Sequence, residues 1–104
     1  MTNARLDAIQ KRIATIKKEL LTSGEMRPGS LTRQYKDPKN RAGAYYQISY
    51  THQMKSRTDY VPREALREIR SQIRNYKRFK SLTTEWVSLA IEHSRLQMKL
   101  AHGR

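Results

Sequence analysis

The stretch PREALREIRSQIRNYKRFK, residues 62–80, decides the fold that the sequence predicts. Its apolar residues recur every three or four positions, the spacing of one helix face; they are Leu66, Ile69, Ile73 and Tyr76. Basic residues recur at the same spacing; they are Arg63, Arg67, Arg70, Arg74, Lys77 and Arg78. At 100° per residue the two rows lie roughly 110° apart around a helix. We therefore predict a helix that packs on one side and presents cations on the neighbouring side.

The predicted helix continues beyond this stretch, because neither Gly nor Pro follows Pro62 before the penultimate residue. We predict one long helix over 62–102. Between Tyr76 and Leu82 the apolar residues are spaced by consecutive steps of three, which breaks the heptad pattern. The sequence leaves open whether the helix overwinds, bends or splits there. The following part, up to Leu100, has heptad spacing and little net charge, which favours packing or assembly.

A first helix is predicted over residues 3–22. Its apolar residues follow steps of three and four; they are Leu6, Ile9, Ile13, Ile16 and Leu20. An isolated helix of this length is marginal in water, so this seam needs a partner. That partner is either the C-terminal helix of the same chain, in an antiparallel coiled-coil pairing, or a second copy of the chain.

The middle of the chain predicts two further segments. Residues 24–43 contain Gly, Pro and basic residues without a sustained period, which indicates an irregular basic arm or an ordinary connector. Residues 44–61 alternate in two runs and predict a β-hairpin. The expected fold is therefore α+β, in a single small domain over residues 1–104.

Composition narrows the classes of function. The 104 residues carry a net charge of +13, and hydrophobic residues make up 37%. Such charge points to nucleic acid, an acidic protein or an anionic surface. The absence of cysteine excludes disulfides, zinc–thiolate sites and cysteine nucleophiles. The sequence predicts no membrane segment, a cytoplasmic location, no cofactor, no metal site, and no catalytic residues that would indicate an enzyme.

We therefore predict a non-catalytic nucleic-acid-binding protein, with DNA favoured over RNA. The predicted contact residues lie on the long helix, the arm and the hairpin; they are Arg63, Arg67, Arg70, Arg74, Lys77, Arg78, Arg33, Lys36, Lys39, Arg41, Lys55, Arg57 and Tyr45. The alternative is an assembly module whose basic face meets an acidic protein partner. A homodimer through the helix seams is a further expectation.

Five short motifs also suggest a family. They are RPGSLTRQY (27–35), KDPKN (36–40), AYYQISYT (44–51), KSRTDYVP (55–62) and NYKRFKSL (75–82). In this order they resemble an uncharacterised family of small basic prokaryotic proteins of unknown function, some of them associated with mobile elements. The resemblance covers roughly residues 26–100 and implies a prokaryotic, mobile-element setting.

The chain departs from that family pattern at two places. Many members carry a cysteine cluster ahead of the second motif, and this chain has no cysteine. Members also carry His-Gly-Pro before the tyrosine pair, where this chain has Ala42-Gly43-Ala44. Any metal site that the family forms with those residues is therefore not expected here.

Overall fold

A computed structural model describes residues 2–103 and confirms the α+β prediction. The elements are α1 (Thr2–Leu21), β1 (Ser30–Asp37), β2 (Ala42–His52), β3 (Lys55–Val61) and α2 (Leu66–His102), with a 3₁₀ turn (Arg63–Ala65) before α2. The chain, expected as one small domain, groups its packing into two compact units. A helical unit contains the residues up to Ser23 and from Arg78 on, and a sheet unit contains residues 24–77.

The sheet unit corrects the prediction for the middle of the chain. Part of the predicted irregular arm, 24–43, is strand β1, so the expected hairpin is a three-stranded antiparallel sheet in the order β1-β2-β3. The connection between β2 and β3 is short. It is a two-residue turn at Gln53 and Met54, whose φ values of 53° and 61° match the twist that such tight hairpins require.

The core of the sheet unit lies between one face of the sheet and α2. Ile48 on β2, Val61 on β3 and Ile73 on α2 are buried and in contact. Leu66 and Ile69 pack against this cluster, so the predicted apolar seam is the surface that α2 gives to the sheet. The basic row is thereby left on a neighbouring side of the helix.

The segment before β1 is fixed to α2 and the sheet through Arg27. Its backbone N–H donates to the Gln72 carbonyl at 3.2 Å. Its guanidinium donates to Asp59 at 3.1 Å and lies 4.8 Å from the ring centre of Tyr50. Asn75 also donates to the Glu25 carbonyl at 2.8 Å. Arg27 is therefore a structural residue, although its charge suggested part of a binding arm.

The backbone at Gly29 requires a residue without a side chain. Its φ of +145° is rarely adopted by other residues, and an added Cβ would lie 2.5 Å from Ile48 Cγ1. We expect Gly29→Ala to lower the free energy of unfolding by about 2–4 kcal/mol, because it adds both backbone strain and a core clash. Urea unfolding measures this change.

Gly24→Ala is the matched control for that experiment. At Gly24 an added Cβ would meet the end of the Asn75 side chain at 3.0 Å, and no positive φ is required. We expect a change below about 1 kcal/mol. Equal effects at the two glycines would contradict the assigned packing of Gly29 on Ile48.

The helical unit confirms the antiparallel helix pairing. Ile9, Ile16 and Leu82 are buried, and the remaining predicted seam positions of both helices are partly buried. Three ion pairs run along one side of the pair; they are Arg5–Glu92 at 2.6 Å, Arg12–Glu85 at 2.6 Å and Arg78–Glu19 at 3.9 Å. Successive pairs step seven residues forward on α1 and seven back on α2, which is the pattern of an antiparallel coiled coil.

α2 itself is continuous from Leu66 to His102, so the helix does not split where its apolar spacing changes. The boundary between the two units, at residues 77 and 78, falls within that same stretch, 76–82. The change of spacing therefore marks a boundary along α2. Before it the helix packs on the sheet, and after it the helix packs on α1.

Two of the ion pairs make the helical unit sensitive to acid. Hydrogen bonds from Arg12 lower the pKa of Glu85, and those from Arg5 lower the pKa of Glu92, both from an ordinary value of 4.5. Between the ordinary pKa and the lowered pKa values, the unfolded chain binds more protons than the folded chain. The stability from these pairs is therefore complete above the ordinary pKa and is lost as the pH falls through the lowered values.

We expect the double variant Glu85→Gln, Glu92→Gln to lose less stability than the parent chain between about pH 5.5 and pH 3. Helix circular dichroism in urea at a series of pH values measures the difference. Glu25→Gln is the control, because no described cation lies within 4 Å of that carboxylate. Parallel pH profiles for the parent and the double variant would contradict the prediction.

Candidate functional site

An open groove in the sheet unit collects four cations. It has a volume of about 600 Å³ and lies between β1 and α2, over Tyr46 and Ile73. We call it the basic groove; its cations are Arg33, Arg70, Arg74 and Lys77. Residues 29–32 line it beside Arg33, and the lining contains no carboxylate.

Strand β1 places Arg33 in the groove. Side chains alternate along a strand, so Leu31, Arg33 and Tyr35 share the face that is turned towards α2. Arg33 pairs in register with Tyr46 of β2, and its guanidinium lies 5.3 Å from the ring centre of Tyr35. This stacking orients the guanidinium without neutralising it.

Helix α2 supplies the other three cations. Arg70, Arg74 and Lys77 stand four and three residues apart, which places them in one row on the helix. All three are exposed, and no described carboxylate lies within 4 Å of any groove cation. Like charges so close together repel one another, so the groove favours an anionic ligand over an empty state.

Acidic residues are engaged elsewhere in the structure. Asp59 is paired with Arg27, and Glu85 and Glu92 are paired with arginines of α1. Asp37 accepts hydrogen bonds from Asn40 in the β1–β2 turn. The positive potential of the groove is therefore not offset by ion pairing within the described chain.

Three other helix residues of the predicted contact set lie outside the basic groove. Arg63 on the 3₁₀ turn and Arg67 on α2 are exposed and extend the row beyond the groove. Arg78 lies in the helical unit, where its guanidinium is 3.9 Å from Glu19. The structure therefore places Arg78 in the helix pairing, although the sequence grouped it with the basic row.

Four predicted contact residues near the turns of the sheet are not brought to the groove. Lys39 and Arg41 lie at the β1–β2 turn, while Lys55 and Arg57 lie beside the β2–β3 turn. These turns are at opposite ends of β2, an 11-residue strand. At about 3.4 Å per residue the two clusters are roughly 35 Å apart, so they do not form one site.

Lys36 and Tyr45 lie on the other face of the sheet. Both alternate with residues that are turned towards α2, and they line a separate depression together with Tyr60. Tyr60 is 68% exposed. This face offers two tyrosine rings, but it is separated from the basic groove by the thickness of the sheet.

Sequence reasoning missed the groove walls. The wall on β1 falls within residues 24–43, for which the sequence predicted an irregular arm. The signal for β1 was present, since Leu31 and Tyr35 flank Arg33 at a spacing of two. The turn residues of 37–40, Asp-Pro-Lys-Asn, also indicate a connection between two strands.

The described residues hold no cluster of three or more metal-ligating His, Asp or Glu side chains. Within residues 2–103, no helix is long and apolar enough to cross a membrane. No family model, curated protein or solved structure matches this chain. The resemblance to a family of small basic prokaryotic proteins therefore stays a hypothesis that rests on the motifs.

The groove cations are expected to be dispensable for folding. Arg70→Ala, Arg74→Ala and Lys77→Ala should each change the free energy of unfolding by less than about 0.5 kcal/mol, because each side chain is exposed and makes no ion pair with a described residue. Urea unfolding at low salt measures this change.

Ile48→Ala provides the comparison for these variants. Ile48 is fully buried, and its truncation should cost about 2–5 kcal/mol. A loss of more than about 1.5 kcal/mol on removing any one groove cation would show that the row stabilises the fold rather than serving a ligand.

Proposed function

We propose that this protein binds nucleic acid without catalysis, and that the basic groove holds the phosphate backbone. The observation that carries this proposal is the carboxylate-free groove with its four exposed cations. Three of the four are arginines, whose planar guanidinium can donate two hydrogen bonds to one phosphate. DNA is the favoured ligand. RNA is tested beside it as the alternative nucleic acid.

The spacing of the cations supports a polymeric ligand. Arg67, Arg70, Arg74 and Lys77 lie on one row of α2. At about 1.5 Å per residue the row is roughly 15 Å long, which matches the axial rise of four to five nucleotides in one strand of B-DNA. A free phosphate or a small anion would occupy just one or two of these positions.

The groove geometry favours contacts to phosphate over contacts to base edges. α2 packs against the sheet through Ile73, and β1 rises beside its basic row. Reading bases in a major groove requires a helix that projects from its support. We therefore propose binding that depends mainly on charge, with weak dependence on base sequence.

An acidic protein partner is the alternative that the charge also permits. Phosphates repeat along the whole length of a nucleic-acid strand, whereas acidic side chains on a protein repeat regularly just where one helix or strand presents them. The regular row on α2 therefore favours the nucleic acid. Competition by polyglutamate and by duplex DNA for a fluorescent ligand would separate the two partners.

We expect the triple variant Arg70→Ala, Arg74→Ala, Lys77→Ala to bind duplex DNA more weakly and with less salt dependence. Each lost phosphate contact removes about 0.9 from the slope of log K against log salt, so three contacts remove up to about 2.7. Fluorescence anisotropy between about 50 and 200 mM salt measures the slope, with single-stranded RNA of equal length as a second ligand.

The matched control removes three cations from the helical unit: Lys11→Ala, Lys18→Ala and Lys99→Ala. These lysines are exposed, and no described carboxylate lies within 4 Å of them. The control has the same net charge as the groove variant. Equal slopes for the two variants, or no binding by the parent chain at about 50 mM salt, would overturn the proposal.

A further inference from the structure

The two sides of the helical unit differ in character. One side carries the three ion pairs between α1 and α2. The opposite side carries mainly small and apolar residues; they are Ile13 and Ala14 on α1 and Val87, Ala90, Ile91, Ser94 and Met98 on α2. Four longer polar side chains also line it; they are Gln10, Lys17, Arg95 and Gln97. We call the latter the bare side.

The bare side exposes large apolar side chains in a regular row. Val87, Ile91 and Met98 are 59%, 48% and 61% exposed. With Ser94 they are spaced by four, three and four residues, which is the spacing of a coiled-coil seam. This row lies opposite the seam that packs on α1, so α2 is apolar on two faces. A helix of this kind is normally covered on both.

Two adjoining depressions lie on this side, one on α2 and one between α1 and α2. Ala90 and Ser94 line both of them. Their small side chains allow another helix to approach closely. His93 lines the depression between α1 and α2, and its buried Nε2 has no hydrogen-bond partner among the described residues. Among the described residues, this side therefore has exposed apolar side chains without a packing partner and a buried imidazole nitrogen without a hydrogen-bond partner.

Charge distinguishes between the partners that could cover this side. The chain carries +13, but residues 81–104 hold three cations against two carboxylates, a net +1. Arg95 is the one charged residue that lines the apolar row, and Lys17 is the one that lines the adjoining part beside α1. Neither stretch of lining contains a carboxylate, and each contributes a single cation. An acidic partner would gain little there, whereas a second copy would meet little repulsion.

The available area suits a second copy. Residues 80–102 of α2 and the 20 residues of α1 form faces roughly 34 and 30 Å long and about 10 Å wide. Together they offer on the order of 600 Å² per copy, or about 1,200 Å² in a dimer, which reaches the range of stable interfaces. Two helix pairs joined in this way form a four-helix bundle.

We infer that the bare side binds the bare side of a second copy, around a two-fold axis that passes near Ile91. This surface is distinct from the seams through which dimerisation was first expected, because those seams pack against each other within the chain. Ile91 lies midway along residues 80–102 and near its own copy across the axis. The inference does not depend on whether the basic groove binds nucleic acid.

Sedimentation equilibrium of nuclease-treated protein in about 0.5 M salt tests this inference, since salt weakens contacts through nucleic acid. We expect twice the monomer mass at about 100 μM, and a monomer for Val87→Glu, Ile91→Glu, because two charges per copy would be buried. Thr15→Glu on the exposed back of α1 is the matched control and should remain dimeric.

A cysteine cross-link gives a second readout that does not require a disruptive change. The chain has no cysteine, so Ile91→Cys introduces a single thiol. Mild oxidation should give a covalent dimer, while Thr15→Cys should stay largely monomeric. A monomeric parent chain, a dimer that persists in the glutamate variant, or equal cross-linking at both positions would overturn the inference. Unchanged helix content by circular dichroism shows that the variants fold.

Discussion

A helix of 37 residues cannot bury its own apolar surface, and the architecture of this chain follows from that constraint. α2 draws on two partners along its length: a three-stranded sheet for its first part and α1 for its second. Each partner supplies a small core, with Ile48 and Val61 in the sheet unit and Ile9 and Ile16 in the helical unit. Neither core is large, so α2 keeps exposed apolar side chains after both partners have packed. This exposed surface is available for binding.

The two parts of α2 expose different kinds of side chain. Its first part presents exposed cations beside β1, and its second part presents Val87, Ile91 and Met98. Asp59, Glu85 and Glu92 are held in ion pairs elsewhere, and no carboxylate lines the basic groove, so its charge is not neutralised by ion pairing within the described chain. The proposed polyanion binding and the inferred self-association thus involve different surfaces, and each surface can be altered while the other is kept.

The long helix, α1 and their pairing were predictable because apolar residues recur every three or four positions over many turns. β1 was not predicted, because Leu31 and Tyr35 are its two large apolar residues and a cation, Arg33, stands between them on the same face. A strand at the edge of a small sheet needs little apolar character. Because β1 was not predicted, the groove was not predicted either. Its four cations were named from the sequence, but nothing indicated that Arg33 lies beside α2.

The ion pairs of the helical unit also fix how α1 and α2 are aligned. Apolar seams that repeat every seven residues pack almost equally well after a slip of one heptad. A slip in one direction would bring Arg12 towards Arg78, and a slip in the other would bring Glu19 towards Glu85. The order of signs, two positive and one negative on α1 against two negative and one positive on α2, therefore penalises both misalignments. Exposed ion pairs that add little to stability can in this way select one alignment among several.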